Sequence, residues 1–409
     1  MSSSVSILGG HQTDFARAIA KEGMDLSDLV AEAVHATLAD AGVDASDVQS
    51  IHVGNAFGQL YTGQGHLGAM PATVVPELWG VPAQRHEAAC ASSSMATLSA
   101  MAEIESGRYD CVMVLGVEQE KTMPSGQAAA VQQAAAWVGH ETEGVEYFWP
   151  YAFDQVAETY GERFGIDDAH LRAIGELNYR NAKDNPNAQT RSWDISSDSF
   201  SDDDRVNPVV VGRLRRNDVT HITDGAVGLI LVSDRWLSDH PGAAPRARIA
   251  GWGHATVGLG LAQKLERSAD ESPYVMPHVR TAITDAWRRA GIGGPEDLDL
   301  IETHDCMTPS EYMAIDHFGI TGPGESWKAI EEGVLERDGS MPMNPSGGLI
   351  GGGHPVGATG ARMLLDATKQ VSGSAGDYQV HGARRAATLN IGGSTATIAS
   401  FIVESTDGD

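Results

Sequence analysis

Cysteine is scarce in this chain: there are three, Cys90, Cys111 and Cys306. The number is odd and no CxxC pair occurs. Neither a disulfide framework nor a structural zinc site is indicated, so each thiol is judged alone. Lysine is also sparse. Lys21, Lys121, Lys183, Lys264, Lys328 and Lys369 are the only ones among 28 basic residues, against 55 acidic residues and a formal charge of −27. Such a balance argues against general nucleic-acid binding, which needs cations to neutralise phosphates. Few lysines and many carboxylates resemble proteins that work in high salt, where the screening length falls to about 3 Å and self-repulsion is largely removed. No window approaches the roughly 18 apolar residues of a membrane span; "AVGLILV" is expected to be a short buried strand. The opening "MSSSVSILGG" lacks the basic start and long apolar run of a secretory leader, and "ESTDGD" carries no targeting tail. A cytoplasmic protein is expected. Missing too are GxxxxGK[ST], HExxH and GxSxG. Nucleotide phosphates, catalytic zinc and an ordinary serine nucleophile are thereby disfavoured.

What is present is a chain of 409 residues, 42% hydrophobic, long enough for two to three domains and a large core. Residues 28–55, "DLVAEAVHATLADAGVDASDVQSIHVGN", and residues 279–305, "VRTAITDAWRRAGIGGPEDLDLIETHD", share one pattern. Each reads as an amphipathic helix, an Ala-Gly stop, a short loop and a strand. A looser pair is "ACASSSMATLSAMAEIESGRYDCVMVLGVE" with "GATGARMLLDATKQV" followed by "RRAATLNIGGSTATIASFIVE". Two similar α/β halves are expected, at 1–119 plus 205–245 and at 246–409. Residues 120–204 are too long for a simple connection. They read as an inserted, mostly helical segment able to cover a substrate, with Ser201 to Asp204 as solvated surface.

The stretch "GGLIGGGHPVGATGARM" crowds glycines around His354. Glycine costs entropy in an ordered segment, so the crowding implies tight bends or close approach. The run lacks the serines of a flexible linker and leads into a helix of core composition. His354 is therefore expected on a shaped loop just before a buried helix. Cys90, in "HEAACASSSMATLSAM", precedes small residues and a helical pattern. A helix N-terminus favours thiolate, the nucleophilic form, and the small neighbours leave room to reach it. Cys111 reads as part of a buried strand. Cys306, in "ETHDCMTPSE", follows a strand, and strand ends in α/β sheets are where ligands bind. His304 lies two residues before it, on the same face of an extended segment. Together Cys90, His354 and Cys306 would supply a nucleophile, a base and an acid.

These stretches resemble the thiolase family along almost the whole chain. "EAACASSSMA" resembles the nucleophile segment, with Cys90 as acyl acceptor. "NPSGGLIGGGHPVGATGARM" resembles the Gly-His-Pro loop. "GERFGIDDAHLRAIGELNYRNAKDNPNA" resembles the inserted loop domain, and "VTHITDGAVGLILVS" the strand after it. The resemblance implies a five-layered αβαβα fold with two duplicated halves, an inserted helical loop domain, and acyl-coenzyme A thioesters as substrates. No metal or resident cofactor is implied. Two departures matter. Asn390, in "TLNIGGSTAT", stands where many members carry the cysteine of Cys-x-Gly, and "HDCM", His304 to Met307, stands for Asn-Glu-Ala-Phe. Both resemble the archaeal and sterol-carrier-protein-type branch, where His-Asp-Cys-Phe can supply the second thiol.

The reaction implied is a Claisen condensation or its reverse, most readily with acetoacetyl-CoA. His304 and His354 would donate to the enolate oxygen, and the N–H groups of Cys90 and Gly392 to the acyl oxygen, with Asn390 in the same oxyanion group. The one dense basic run, "VGRLRRND", offers Arg213, Arg215 and Arg216 for the phosphates of coenzyme A. A homodimer or dimer of dimers is implied. Two alternatives stand beside this reading: a related ketoacyl or hydroxymethylglutaryl-CoA synthase, and one subunit of a complex needing a small zinc-ribbon and OB-fold companion.

Overall fold

In the computed structural model, which describes residues 4–268 and 272–406, the two stretches of shared pattern fold alike. The first three and last three residues, read above for leader and tail, lie outside the described residues. Helix α1 (Leu26–Ala41) starts at Asp25, whose carboxylate accepts from the Ser27 and Asp28 N–H groups, and stops at Gly42 with φ 65°. Its counterpart, Pro277–Ala290, has proline in its first turn and stops at Gly291 with φ 72°. Glycine takes this left-handed conformation with least strain, which is why both helices end there. A 3-10 turn and a fully buried strand follow each: Ala45–Asp47 and Ser50–Gly54 in the first, Pro295–Asp297 and Leu300–Thr303 in the second.

Nine strands form one mixed sheet: β1 (Val5–Gln12), β2 (Ser50–Gly54), β3 (Ala83–His86), β4 (Cys111–Glu118), β5 (Gly225–Ser233), β6 (Ala247–Thr256), β7 (Leu300–Thr303), β8 (Arg385–Gly392) and β9 (Thr397–Ser405). Their order is β3-β2-β4-β5-β1-β6-β9-β8-β7. The order is palindromic about the β1/β6 junction, where Val5–Ile7 pair antiparallel with Ala247–Ile249. On one side β2 and β4 are parallel and β4 and β5 antiparallel. On the other β7 and β8 are parallel and β8 and β9 antiparallel. The extra strand β3 sits at one edge. The stretch "AVGLILV" lies in β5, and Cys111 opens β4, both fully buried as expected.

The packing gives five layers. α1 covers the outer face of the first half, setting Leu29, Ala33 and Val34 against Ile51, Met113 and Ile230. α2 (Ser92–Glu105) and α7 (Thr359–Val371) lie between the halves, where Ala96, Ala100, Ala361 and Leu364 meet Val112, Leu229 and Phe401. α5 (Pro277–Ala290) and α6 (Thr308–Phe318) cover the second half, with Ile283, Trp287 and Ile315 against Leu389 and Ile402. Every residue of α7 except Lys369 is buried, as a helix between two sheets must be. A Cβ on Gly360 would stand 2.1 Å from Ser94 Oγ, so that glycine sets how closely α2 and α7 approach.

Residues 120–204 contain α3 (Phe148–Phe164) and α4 (Asp168–Ala182). Both pack on the second half, where Phe153, Val156 and Leu177 join the core of α6 and the Tyr160 hydroxyl donates to Asp316 (2.8 Å). Among the described residues no helix is long and apolar enough to cross a membrane.

Candidate active site

Three separate loops bring their chemistry to one point. The first joins β3 to α2. Its Ala89 has φ 49°, a strained value for a residue other than glycine. Glu87 accepts from the Ala89 N–H (2.7 Å), and Ser92 Oγ accepts from Ala88 N–H (3.0 Å) while donating to the Ala89 carbonyl (2.6 Å). The turn is thus wired from within and leaves Cys90 just ahead of α2. The second loop follows β7 and carries His304, Asp305 and Cys306. The third is the glycine-rich loop with His354.

Buried carboxylates fasten the third loop on both sides of His354. Asp305 accepts from the N–H groups of Leu349 (2.6 Å) and Ile350 (3.0 Å) and from Asn178 of α4 (2.9 Å). Beyond the histidine, Glu120 accepts from Val356 N–H (2.8 Å) and Glu118 from Gly357 N–H (3.0 Å). The His354 N–H itself donates to Thr223 Oγ1 (3.0 Å).

The Cys90 sulfur and one ring nitrogen each of His304 and His354 lie within 4.8 Å of one another. The two rings meet edge to face, 5.3 Å between centroids. Among the described residues this is the one set of histidine, cysteine and carboxylate donors close enough together to hold a metal ion. The hydrogen bonds commit both imidazoles to other tasks. Ser94 Oγ donates to Asn390 Oδ1 (2.7 Å), which turns the amide NH₂ toward His304 Nδ1 (3.2 Å). Nδ1 then accepts, and the proton sits on Nε2, a buried atom with no protein partner. For His354 the network runs the other way. Thr359 Oγ1 donates to the Pro355 carbonyl (3.1 Å), so it accepts from His354 Nδ1–H (2.7 Å). The free lone pair of His354 is therefore on Nε2. Assigned from the network in this way, His304 is a donor and His354 an acceptor.

Both rings are neutral near pH 7. Burial, with Arg362 adding to it, holds His354 down to about 3. Burial, His354 and Arg362 hold His304 well below the usual histidine range. Cys90 corrects the sequence reading. Its place before a helix suggests an easily formed thiolate, yet burial and then Glu120 push the thiol up to about 12, against the pull of the Gly393 and Cys90 N–H groups. Desolvation outweighs the helix end. Cys90 and Cys306 line one chamber with Phe57, Trp149, Phe153 and Met307. Burial, followed by Cys90 and Asp305, keeps the Cys306 thiol well above its ordinary range.

A wider cavity of about 880 Å³ reaches this chamber, sharing Met307, Trp149 and His354 with it. The basic run divides around it. Arg216 lines the cavity, whereas Arg213 is held by Glu158 and Asp168 (2.7 Å each) and Arg215 by Asp204 (2.6 Å). Arg213 and Arg215 are thus spent on carboxylates, a correction to their reading as phosphate ligands. Lys21, Lys121 and His221, which sequence reasoning missed, line the same cavity as Arg216. Gly392 packs behind Cys90, where a Cβ would stand 2.3 Å from the Ala88 carbonyl. Its neighbour Gly393, which sequence reasoning missed, lines the chamber, and its N–H reaches the sulfur and favours its charged form.

The duplicated five-layered α/β fold places a cysteine beside two oppositely polarised histidines, the kinds of group that acyl transfer needs. A thiolase N-terminal domain model matches residues 5–235, and a thiolase C-terminal domain-like model matches 261–405. The chain belongs to the thiolase family and is an acyltransferase of that family. It is 30% identical over 400 residues to an acetyl-CoA acetyltransferase of Methanothermobacter thermautotrophicus, covering 97% of this chain and 98% of that one. It is 27% identical to sterol carrier protein 2 of Bos taurus, covering 95% of this chain and 70% of that one. Among solved structures, an Ltp2-ChsH2(DUF35) aldolase superposes with a TM-score of 0.78 at 19% identity, covering 99% and 98% of the two chains.

Proposed function

We propose that this enzyme makes or cleaves a short 3-ketoacyl-CoA, acetoacetyl-CoA foremost, through an acetyl group carried on Cys90. The observation that carries the reading is the pair of opposite tautomers converging on one sulfur. His354 Nε2 takes the Cys90 proton, and the sulfur attacks the thioester carbonyl. The departing coenzyme A thiolate takes the proton of Cys306 and leaves as the free thiol. Cys306, now a thiolate, removes the α-proton of a second acetyl-CoA. The carbanion attacks the acetyl group on Cys90, and the released sulfur recovers its proton from His354. Each proton is thereby returned.

His304 Nε2–H serves the enolate oxygen. The Cys90 N–H with that of Gly392 or Gly393 serves the acyl oxygen. Losing one such donor typically costs about 3 kcal/mol of barrier. The high resting thiol pKa fits this scheme, because a neutral Cys90–His354 pair becomes ionic only as substrate arrives. The aromatic walls of Phe57, Trp149 and Phe153, with Met307, support a small acyl group. Lys21, Lys121 and Arg216 are the cations we assign to the phosphates of coenzyme A, and residues 120–204 cover its tail.

Intact-protein mass spectrometry after mixing with acetoacetyl-CoA tests the reading. One acetyl group is expected on the wild type and none on Cys90→Ser. No adduct on folded wild-type protein would sink it. A second reading is motivated by the Ltp2-ChsH2(DUF35) neighbour, itself a two-component assembly. In it this chain works with a small zinc-ribbon and OB-fold partner. Copurification from the native host decides: a stoichiometric small zinc protein favours the complex, and a homo-oligomer active alone excludes it.

A further inference from the structure

We propose that Lys264 is a positioning residue for the chemistry at Cys90, acting through the loop that joins β8 to β9; this rests on Cys90 being the acyl acceptor. That loop, residues 393–396, presents the Gly393 N–H to the Cys90 sulfur. It is a strained turn. Thr395, a β-branched residue, has φ 62°, as does Gly393. A branched side chain is held in the left-handed region only where its surroundings over-determine it, and such strain gathers at functional sites.

Side chains from outside the loop do the holding. Lys264 Nζ donates to Ser394 Oγ (2.8 Å) and to the Leu259 carbonyl (3.0 Å). His278 Nε2 donates to the Thr395 carbonyl (2.9 Å). Lys264 is 6% exposed and pairs with no carboxylate among the described residues. A lysine this buried is normally paired. Here its charge is spent instead on a hydroxyl one residue from the N–H that faces the nucleophile. The other charged or titratable groups around it are His278, Glu266 and Arg267, which line the same cleft, and Glu141; burial pulls the Lys264 ammonium down to about 8, against the field of Glu141, so it carries its charge at neutral pH. Lys264 touches no reacting atom. Its effect is to fix the direction of the Gly393 N–H and to place a positive charge behind it, both of which favour negative charge on sulfur.

The test compares the full-length wild type with Lys264→Met, Lys264→Arg and Ser394→Ala. Three readouts are taken: folding by circular dichroism and Tm, kcat and KM with acetoacetyl-CoA, and the rate of Cys90 alkylation by iodoacetamide across pH about 7 to 10. Lys264→Met is expected to lower kcat about tenfold or more with KM within about twofold, and to displace the alkylation profile to higher pH. Lys264→Arg should restore much of both. Ser394→Ala removes the acceptor and keeps the lysine. It should shift the profile the same way, and it carries the test alone if the methionine variant does not fold. A folded Lys264→Met or Ser394→Ala variant with unshifted alkylation overturns the proposal, whatever its kcat, because a merely structural lysine would leave the sulfur's titration alone. Failure of the Cys90 reading is distinguishable: the wild type would then take no acetyl group, while the alkylation comparison would still report on Lys264.

Discussion

Asn390 donates to His304 Nδ1 only because Ser94 holds its other end. The two partners are 296 residues apart in sequence. A carboxylate in place of the amide would accept from Nδ1–H and move the ring proton off Nε2. Asn390→Asp is therefore expected to lower kcat by about 10²–10³, the cost of one oxyanion donor. Acetylation of Cys90 should survive, since in the proposed mechanism that half-reaction leans on His354. Single-turnover mass spectrometry beside steady-state kinetics checks this split; equal loss of both steps would mean that Asn390 serves the first step too. The residues proposed to carry chemistry stand out in the sequence because their surroundings are unusual: small residues around Cys90, glycines around His354. Their partners do not. Nothing about Ser94, Thr359 or Thr223 in sequence distinguishes a tautomer-setting hydroxyl from any other. The Cys90 thiol shows the opposite failure, a local rule overruled by burial that only the assembled fold supplies.

At the scale of elements, the glycine-rich loop is held by backbone donors that point inward to Asp305. Gly348 has φ 58°, and a Cβ there would stand 2.4 Å from Asp305 Oδ2. Asp305 is itself anchored, so it has little room to withdraw. Gly348→Ala should destabilise the fold by about 2 kcal/mol or more, combining left-handed strain of about 1–2 kcal/mol with the clash. Thermal unfolding and the Cys90 acetylation rate should fall together. A variant with native Tm and native acetylation would mean the loop bends elsewhere. The helix–glycine–strand repeat was readable because its stops are chemical: glycine closes α1 and α5 at the same step. The division of the basic run was not readable. Arg213 and Arg215 alternate along a two-stranded hairpin facing carboxylates of α3, α4 and the acidic run, while Arg216 begins the next turn and faces the cavity. Spacing alone cannot say which side of a hairpin holds acids.

For the whole molecule, the formal charge of −27 sets two salt effects against each other. Self-repulsion among exposed carboxylates weakens the folded state and is screened as salt rises, because the Debye length shrinks from about 10 Å at 0.1 M to about 3 Å at 1 M. The proposed coenzyme site depends on the reverse. Lys21, Lys121 and Arg216 gather cations at one cavity mouth of a strongly acidic protein. Their pull on a polyanionic substrate also fades with screening. Thermal stability should therefore rise between about 0.1 and 2 M KCl while KM for the thioester rises too. Potassium chloride separates this from the general stabilisation given by strongly excluded salts such as sulfate. A Tm that stays flat across that range would show that the carboxylates are already balanced by their partners, such as the pairs of Asp203 with Arg205 and Asp204 with Arg215. A KM that stays flat while Tm climbs would move the phosphates of coenzyme A away from those three cations. The two curves, read on one protein, thus test the global charge and the local site independently.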